Sequence, residues 1–252
     1  MRRKKMKLNR ISQIYAAILA NAIYAMKNFP VMLINSMLAP FGFLLIIFFV
    51  SHGTLLNVAI MGALIMAMVS SGISLQGDLT HLRRDMKLQD MLVSSPLSMN
   101  MYLIGMALSE LVFSIPDLII LSVLAVIFIH ISALAALMIV AVMLLTFIFS
   151  ISLSFFISTI SRDIMEGWAF MGIISLFLSS LPPVYYPITY IPLPFRYLAY
   201  LSPTTYSAMI AQNSIGFLSL SNLSFYLSWL ILIAVSAALL IFAIKRSKWR
   251  EE

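Results

Sequence analysis

The 252-residue chain contains no cysteine, which excludes disulfides, thiolate metal sites and cysteine nucleophiles and leaves the redox compartment unread. Charge is scarce as well: 10% of the residues are Asp, Glu, Lys or Arg, against roughly 25% in an ordinary soluble domain. No Gly-x-x-x-x-Gly-Lys-Ser/Thr phosphate loop occurs, so nothing of that kind cradles a nucleotide. No Gly-x-Ser-x-Gly elbow presents a serine nucleophile. His52, His81 and His130 stand without a second ligand at metal spacing, and no metal site is expected.

What the chain has instead is apolar surface. Hydrophobic residues make up 62% of it, more than a soluble core of this size can hide. A hydrocarbon layer about 30 Å thick needs roughly 20 apolar residues per helical span. Runs of that order recur at residues 31–50, 55–75, 102–128, 131–160, 167–181 and 223–244, separated by short polar or Pro-rich joints. The fold class expected is an all-α integral membrane protein with six transmembrane helices. The fifth run is the weakest, reaching only about 22 Å at 1.5 Å per residue. It either borrows residues from Pro182 onward or ends below the outer surface.

Lysine and arginine favour the cytoplasmic side of short loops. With the amino terminus inside, fifteen of the sixteen basic residues fall there and only Arg196 lies outside. Five or seven spans would throw one terminal cluster across the membrane, so both termini are read as cytoplasmic. The net charge of +7 is spread over helix ends rather than over one exposed face, which argues against nucleic acid and for anionic lipid headgroups as counterions. The basic start MRRKKMKLNR leads into a polar, uneven stretch, so no signal peptide is expected and the first residues are expected to stay.

Residues 1–29 carry Leu8, Ile11, Tyr15, Ile18, Ala22 and Met26 at helical spacing, with Asn9, Arg10, Ser12, Gln13 and Asn21 off that face. That is the pattern of an amphipathic helix lying along the membrane interface. Packing against the protein's own cytoplasmic loops makes similar demands on sequence. Pro30 then turns the chain into the membrane.

The longest charged stretch between spans, residues 76–98, reads as a short helix stopped by Pro96. Its mixture of both charge signs with leucine and methionine suits a docking surface for a partner protein better than a solvated turn. It ends Leu82-Arg-Arg-Asp-Met-Lys-Leu-Gln-Asp-Met-Leu-Val-Ser-Ser-Pro-Leu-Ser98. This resembles the ABC-2 type permeases, the membrane half of ATP-binding-cassette exporters, in which a helix of mixed charge runs into a Leu-Leu-x-Ser/Thr-Pro-Leu-Ser ending. Met91 and Leu92 take the paired apolar positions and Asp90 stands where the family often has glutamate. Lys87 and Leu88 replace the usual Gly-Thr before that acid.

A second likeness lies at Leu181-Pro-Pro-Val-Tyr-Tyr-Pro-Ile-Thr-Tyr-Ile-Pro-Leu-Pro-Phe-Arg-Tyr-Leu-Ala-Tyr-Leu-Ser-Pro-Thr-Thr-Tyr206. It is similar to the family's Pro-rich, aromatic outer segment and its Asn-Pro-x-x-Tyr-like ending, with Ser202 in place of the asparagine. Residues 182–206 hold six of the ten prolines and six of the ten tyrosines. Tyrosine favours the membrane–water boundary, and irregular backbone at membrane depth is allowed only where protein or water satisfies it. The resemblance implies re-entrant outer helices over residues 182–217, with Pro182, Tyr185, Tyr186, Pro187, Phe195, Arg196, Pro203 and Tyr206 forming an outer gate. A plain interfacial belt is the alternative.

Within the third run Glu110 and Asp117 are seven residues apart and project from nearly one helical face. Carboxylates inside a membrane normally face a cavity or a partner, so both are candidates for the translocation path, Asp117 beside Pro116 being the stronger. In the fourth run Thr146, Ser150, Ser154 and Ser158 form a small polar stripe. Such a stripe serves close helix packing or lines a cavity, which would add Ser150, Ser154 and Ser158 to the path.

The resemblance implies a single transmembrane domain over residues 1–252 that acts as a homodimer or heterodimer of permeases in the plasma membrane. It moves a drug-like, lipid-linked or polysaccharide substrate outward. The chain itself is expected to be no enzyme and to bind no cofactor, ATP and magnesium being held by a cytoplasmic ATPase subunit. Contact with that subunit falls to Asp78, His81, Leu82, Arg83, Arg84, Asp85, Met86, Lys87, Asp90 and Leu92. The competing reading is a proton-coupled secondary transporter using Asp117 and Glu110, weakened by the lack of an inverted repeat. An intramembrane enzyme is disfavoured, since no paired nucleophile and base stands out.

Overall fold

The computed structural model describes residues 10–84 and 99–246. Helix takes up 85% of these and no strand occurs among them. Helix α1 (Arg10–Ile18) runs through one π-helical turn (Leu19–Ile23) into α2 (Tyr24–Asn28), after which Phe29 leaves helical geometry and Pro30 opens α3 (Pro30–Val50). Proline suits a first helical position because its missing N–H would have no intrahelical partner there. A tight turn with His52 and Gly53 at positive φ returns the chain as α4 (Leu56–Arg84).

Helices α5 (Met99–Phe113) and α6 (Ile115–Phe128) follow, bent by 44° at Ser114. Pro116 in the first turn of α6 supplies the cause: it has no N–H to bond back and its ring crowds the preceding turn. Then come α7 (Ala133–Ile160) and α8 (Ile164–Ser180). Ser132 caps α7 by accepting from Ala135 N at 3.2 Å. Asp163 caps α8 by accepting from Glu166 N at 2.7 Å, while the Glu166 carboxylate accepts from Arg162 N at 2.6 Å. These reciprocal bonds satisfy N–H groups that a helix start leaves orphaned. After an irregular stretch with a 3₁₀ turn at Ile188–Tyr190 come α9 (Leu193–Ala199), α10 (Pro203–Ser214) and α11 (Asn222–Arg246).

Among the described residues four helices are long and apolar enough to cross a membrane: α3, α4, α7 and α11. The bent pair α5 and α6 makes a fifth if taken as one span, and α8 is a shorter apolar helix. Helix α4 is the axis of the bundle. Its apolar window is 83% buried, against 12% for α3 and 17% for α11, because α3, α5, α6, α7, α8 and α10 all pack on it. Ala59, Gly62, Ala63, Ala67 and Gly72 keep its girth small, and small residues let helix backbones approach closely in a membrane. At Gly72 an added Cβ would lie 2.5 Å from the Ser150 Cβ of α7.

The amino-terminal helix packs on α5. Gln13, Ala17 and Ala22 are buried, Ser109 Oγ donates to Ala17 O at 3.2 Å, and an added Cβ at Gly105 would meet the Ala17 Cβ at 2.6 Å. Ile11, Tyr15, Leu19 and Ile23 remain exposed. The apolar stripe read from the sequence therefore divides, with Ile11 and Tyr15 outward and Ala22 inward. The extra residue of the π-helical turn shifts the phase between them.

Candidate functional site

Helix α4 runs past its apolar stretch to Arg84 without a break. Its 29 residues span about 44 Å at 1.5 Å per residue, longer than a hydrocarbon core, so one end projects from it. Gln76 to Arg84, the leading part of the charged segment, are turns of this same helix rather than a separate one. Asp78 is exposed and His81 half-buried there, and their charges interact. Leu82, Arg83 and Arg84 end the helix, whereas Asp85, Met86, Lys87, Asp90 and Leu92 lie outside the described residues.

A buried polar pair within α4 packs this end of the helix against the start of α8. Gln76 Nε2 donates to Thr80 Oγ1 at 3.0 Å, and both side chains are fully buried. The Gln76 amide occupies the space beside Gly167 that a Cβ would take. Sequence reading missed Gln76 and Thr80; their signal was a polar pair four residues apart on one helix.

The two membrane carboxylates separate. Glu110 on α5 accepts from Ser74 Oγ of α4, and its backbone carbonyl accepts from Ser71 Oγ at 2.8 Å. Asp78, one turn beyond Ser74, is close enough for its charge to act on Glu110. Asp117 on α6 instead accepts from Ser36 Oγ of α3 at 3.2 Å, is 2% exposed, and its Oδ1 has no partner among the described residues. The seven-residue spacing implied one shared face, but the bend at Ser114 re-aims the second acid toward a different helix.

The serine stripe of α7 faces protein. Ser154 Oγ donates to Gly72 O at 2.7 Å and Ile73 O at 3.2 Å, Ser150 lies against Gly72, and Thr146 Oγ1 shares a hydrogen bond of 2.7 Å with Ser207 of α10. Ser158 bonds the Phe155 carbonyl of its own helix at 2.9 Å. All four are buried, and the first three sit at contacts of α7 with α4 and α10.

The residues expected to form an outer gate divide into three groups. Pro182, Tyr185 and Pro187 are buried and Tyr186 half-buried. The Tyr185 ring stacks on Phe43 of α3 at 5.3 Å, and an added Cβ at Gly62 of α4 would lie 2.5 Å from Val184 O. Burial pushes the Tyr185 phenol up, keeping it neutral. Arg196 folds back on its own segment, Nε donating to Ile191 O at 2.7 Å and Nη2 to Thr189 O at 2.8 Å, with Phe195 beside it exposed. Tyr206, three residues after the half-buried Pro203, donates its hydroxyl to Tyr200 O at 2.9 Å.

Ser214 at the end of α10 meets Met138, five residues into α7, whereas Ser207 meets Thr146 further along, and Thr204 Oγ1 donates to Leu178 O near the end of α8 at 3.2 Å. Helix α10 thus runs antiparallel to α7, its start near Thr146 and its end near Met138.

This helical membrane architecture, with a Pro-rich segment folded among the helix ends, agrees with what comparison of sequences finds. The family model of the ABC-2 type transporter matches residues 12–215. The chain belongs to the ABC-2 type transporter family. Among curated proteins none matches it. The family match runs from α1 to just past the end of α10 and takes in α4, the bent pair and the outer segment. The ABC-2 chain is accordingly a multi-pass membrane protein and a permease of an ABC-type transport system, a component whose family implies partnership with an ABC ATPase subunit.

Proposed function

We propose that this permease is the transmembrane half of an exporter that works as a dimer, with itself or with a related chain, in the plasma membrane. Six spans are formed by α3, α4, the bent pair, α7, α8 and α11, with both termini cytoplasmic and residues 182–217 re-entrant from outside. The domain covers residues 1–252, its amino-terminal helix lies at the lipid interface with Ile11, Tyr15, Leu19 and Ile23 toward lipid, and anionic headgroups hold the terminal basic clusters. ATP and magnesium are bound by a separate cytoplasmic ATPase subunit, which meets residues 76–98.

The observation that carries this reading is the family match to a chain with no phosphate loop of its own. The continuity of α4 from the bundle axis to Arg84 supports the coupling role. A push on residues 76–98 moves the helix that touches most of the others. Through Gln76 and Gly167 the push also reaches α8. Glu110, Asp117 and the α7 serines then shift with α4 and α3, the outer segment leaves Gly62, and a drug-like, lipid-linked or polysaccharide substrate departs outward. A proton-coupled carrier is the second reading, favoured only by the unpartnered Oδ1 of Asp117.

The test is to look for a phosphate-loop ATPase in an adjacent reading frame, to co-express it with the chain and to measure ATP hydrolysis with Arg83, Arg84 and Asp85 intact and replaced by alanine. The intact chain co-purifies with the ATPase and stimulates it, and the triple replacement abolishes stimulation. A chain that neither binds nor stimulates such an ATPase, yet transports when a proton gradient is imposed, establishes the second reading.

A further inference from the structure

The outer segment has more acceptors than donors. Pro182, Pro183, Pro187 and Pro192 contribute carbonyls and no N–H, and buried carbonyls need partners. Two long side chains supply the missing donors. Arg196 serves Thr189 and Ile191, residues of its own stretch, so those bonds travel with it. Gln212, which is 1% exposed on α10, donates its Nε2 to Pro183 O at 3.2 Å and to Tyr186 O at 3.3 Å. These bonds cross from α10 to the turn that rests on α3 and α4.

We infer that Gln212 is the latch of the outer end: its single amide holds the 183–186 turn in the seat made by Gly62 and Phe43, and the turn opens when those two bonds break. Three features make the latch releasable. Both bonds, at 3.2 and 3.3 Å, are long, hence weak. Gln212 Oε1 and Tyr185 Oη are buried without a partner among the described residues, and each regains hydrogen bonds with water on opening. Val184 O sits over a glycine, so the turn meets a smooth floor with no side chain to climb over. That this turn bars the path rests on the exporter reading; that Gln212 holds it does not.

The absence of native cysteine allows single-cysteine reporters in the whole chain. Val184→Cys reports the turn and Val142→Cys, fully buried on α7, reports the bundle. A membrane-impermeant maleimide is applied from outside to proteoliposomes. With Gln212→Met, which keeps the length and removes the donors, labelling at position 184 rises by about tenfold or more while position 142 stays silent, as local opening without unfolding requires. Gly62→Ala attacks the seat from the other side and raises labelling at 184 alike; it decides the matter if Gln212→Met does not accumulate. Unchanged labelling at 184 overturns the latch, and so does a parallel rise at 142, which makes Gln212 a general packing residue. The assay needs no ATPase, so failure of the latch and failure of the exporter reading are read separately.

Discussion

Replacing Gly72 with alanine tests whether the α4–α7 contact is set by backbone approach. The new Cβ would lie 2.5 Å from Ser150 Cβ, 3.1 Å from Ile151 N and 3.2 Å from Phe147 O, where carbon contacts settle near 3.5–4.0 Å. The helices must separate by a large part of that deficit, since two of the three atoms are backbone. Overpacking of this size costs about 1–3 kcal/mol. Separation also stretches the bonds from Ser154 Oγ to Gly72 O and Ile73 O, an interhelical contribution of roughly 0.6 kcal/mol. Against these stands the better helix propensity of alanine, about 1 kcal/mol. The expected net is about 1–2 kcal/mol of destabilisation, read from SDS-driven unfolding in mixed micelles followed by tryptophan fluorescence. Ser150→Gly in the same chain removes the nearest clash and recovers part of the loss, giving a favourable coupling of about 1 kcal/mol in a double-mutant cycle. A neutral or stabilising Gly72→Ala, or zero coupling to Ser150→Gly, refutes the close-approach argument.

Three further outcomes follow from single contacts. Ser154→Ala, which loses the bonds to Gly72 O and Ile73 O, lowers stability in the same assay by about 0.6 kcal/mol. Asp163→Ala removes the cap of α8 at a cost of about 1 kcal/mol, most of which Asp163→Asn restores; equal losses in the two would show that charge rather than capping matters. Asp117→Asn retains an acceptor for Ser36, so the chain reaches the membrane and melts as the parent does, while export falls; export at the parent rate removes Asp117 from the path.

The features legible in the sequence were those that a one-dimensional pattern encodes. Apolar run length gave the membrane class, and Met91 to Ser98 with the Pro-Tyr stretch at 181–206 pointed to the family that the match then established. Pro116 stood beside Asp117 in the sequence, but the direction in which the bend aims that acid was not legible. The partners of each side chain were not legible. Ser154 could equally have lined a cavity, and its bond to Gly72 depends on a helix 82 residues earlier in the chain. Nothing in the run from Pro203 to Ser214 set Gln212 apart from an ordinary polar residue near a helix end.

The reason is physical. In water, an apolar face marks the side that packs, so periodicity names the core; in lipid, the packing face and the lipid face are both apolar, and the pattern loses that information. Helices α3 and α4 read alike as apolar runs, yet α4 is enclosed and α3 is largely open. The sequence by itself determined that this chain is helical, lies in a membrane, carries little charge and has no phosphate loop. Only the tertiary structure decided which helix is the axis, which carboxylate meets which serine, and which amide bonds the Pro183 and Tyr186 carbonyls, because those depend on contacts between residues far apart in the chain.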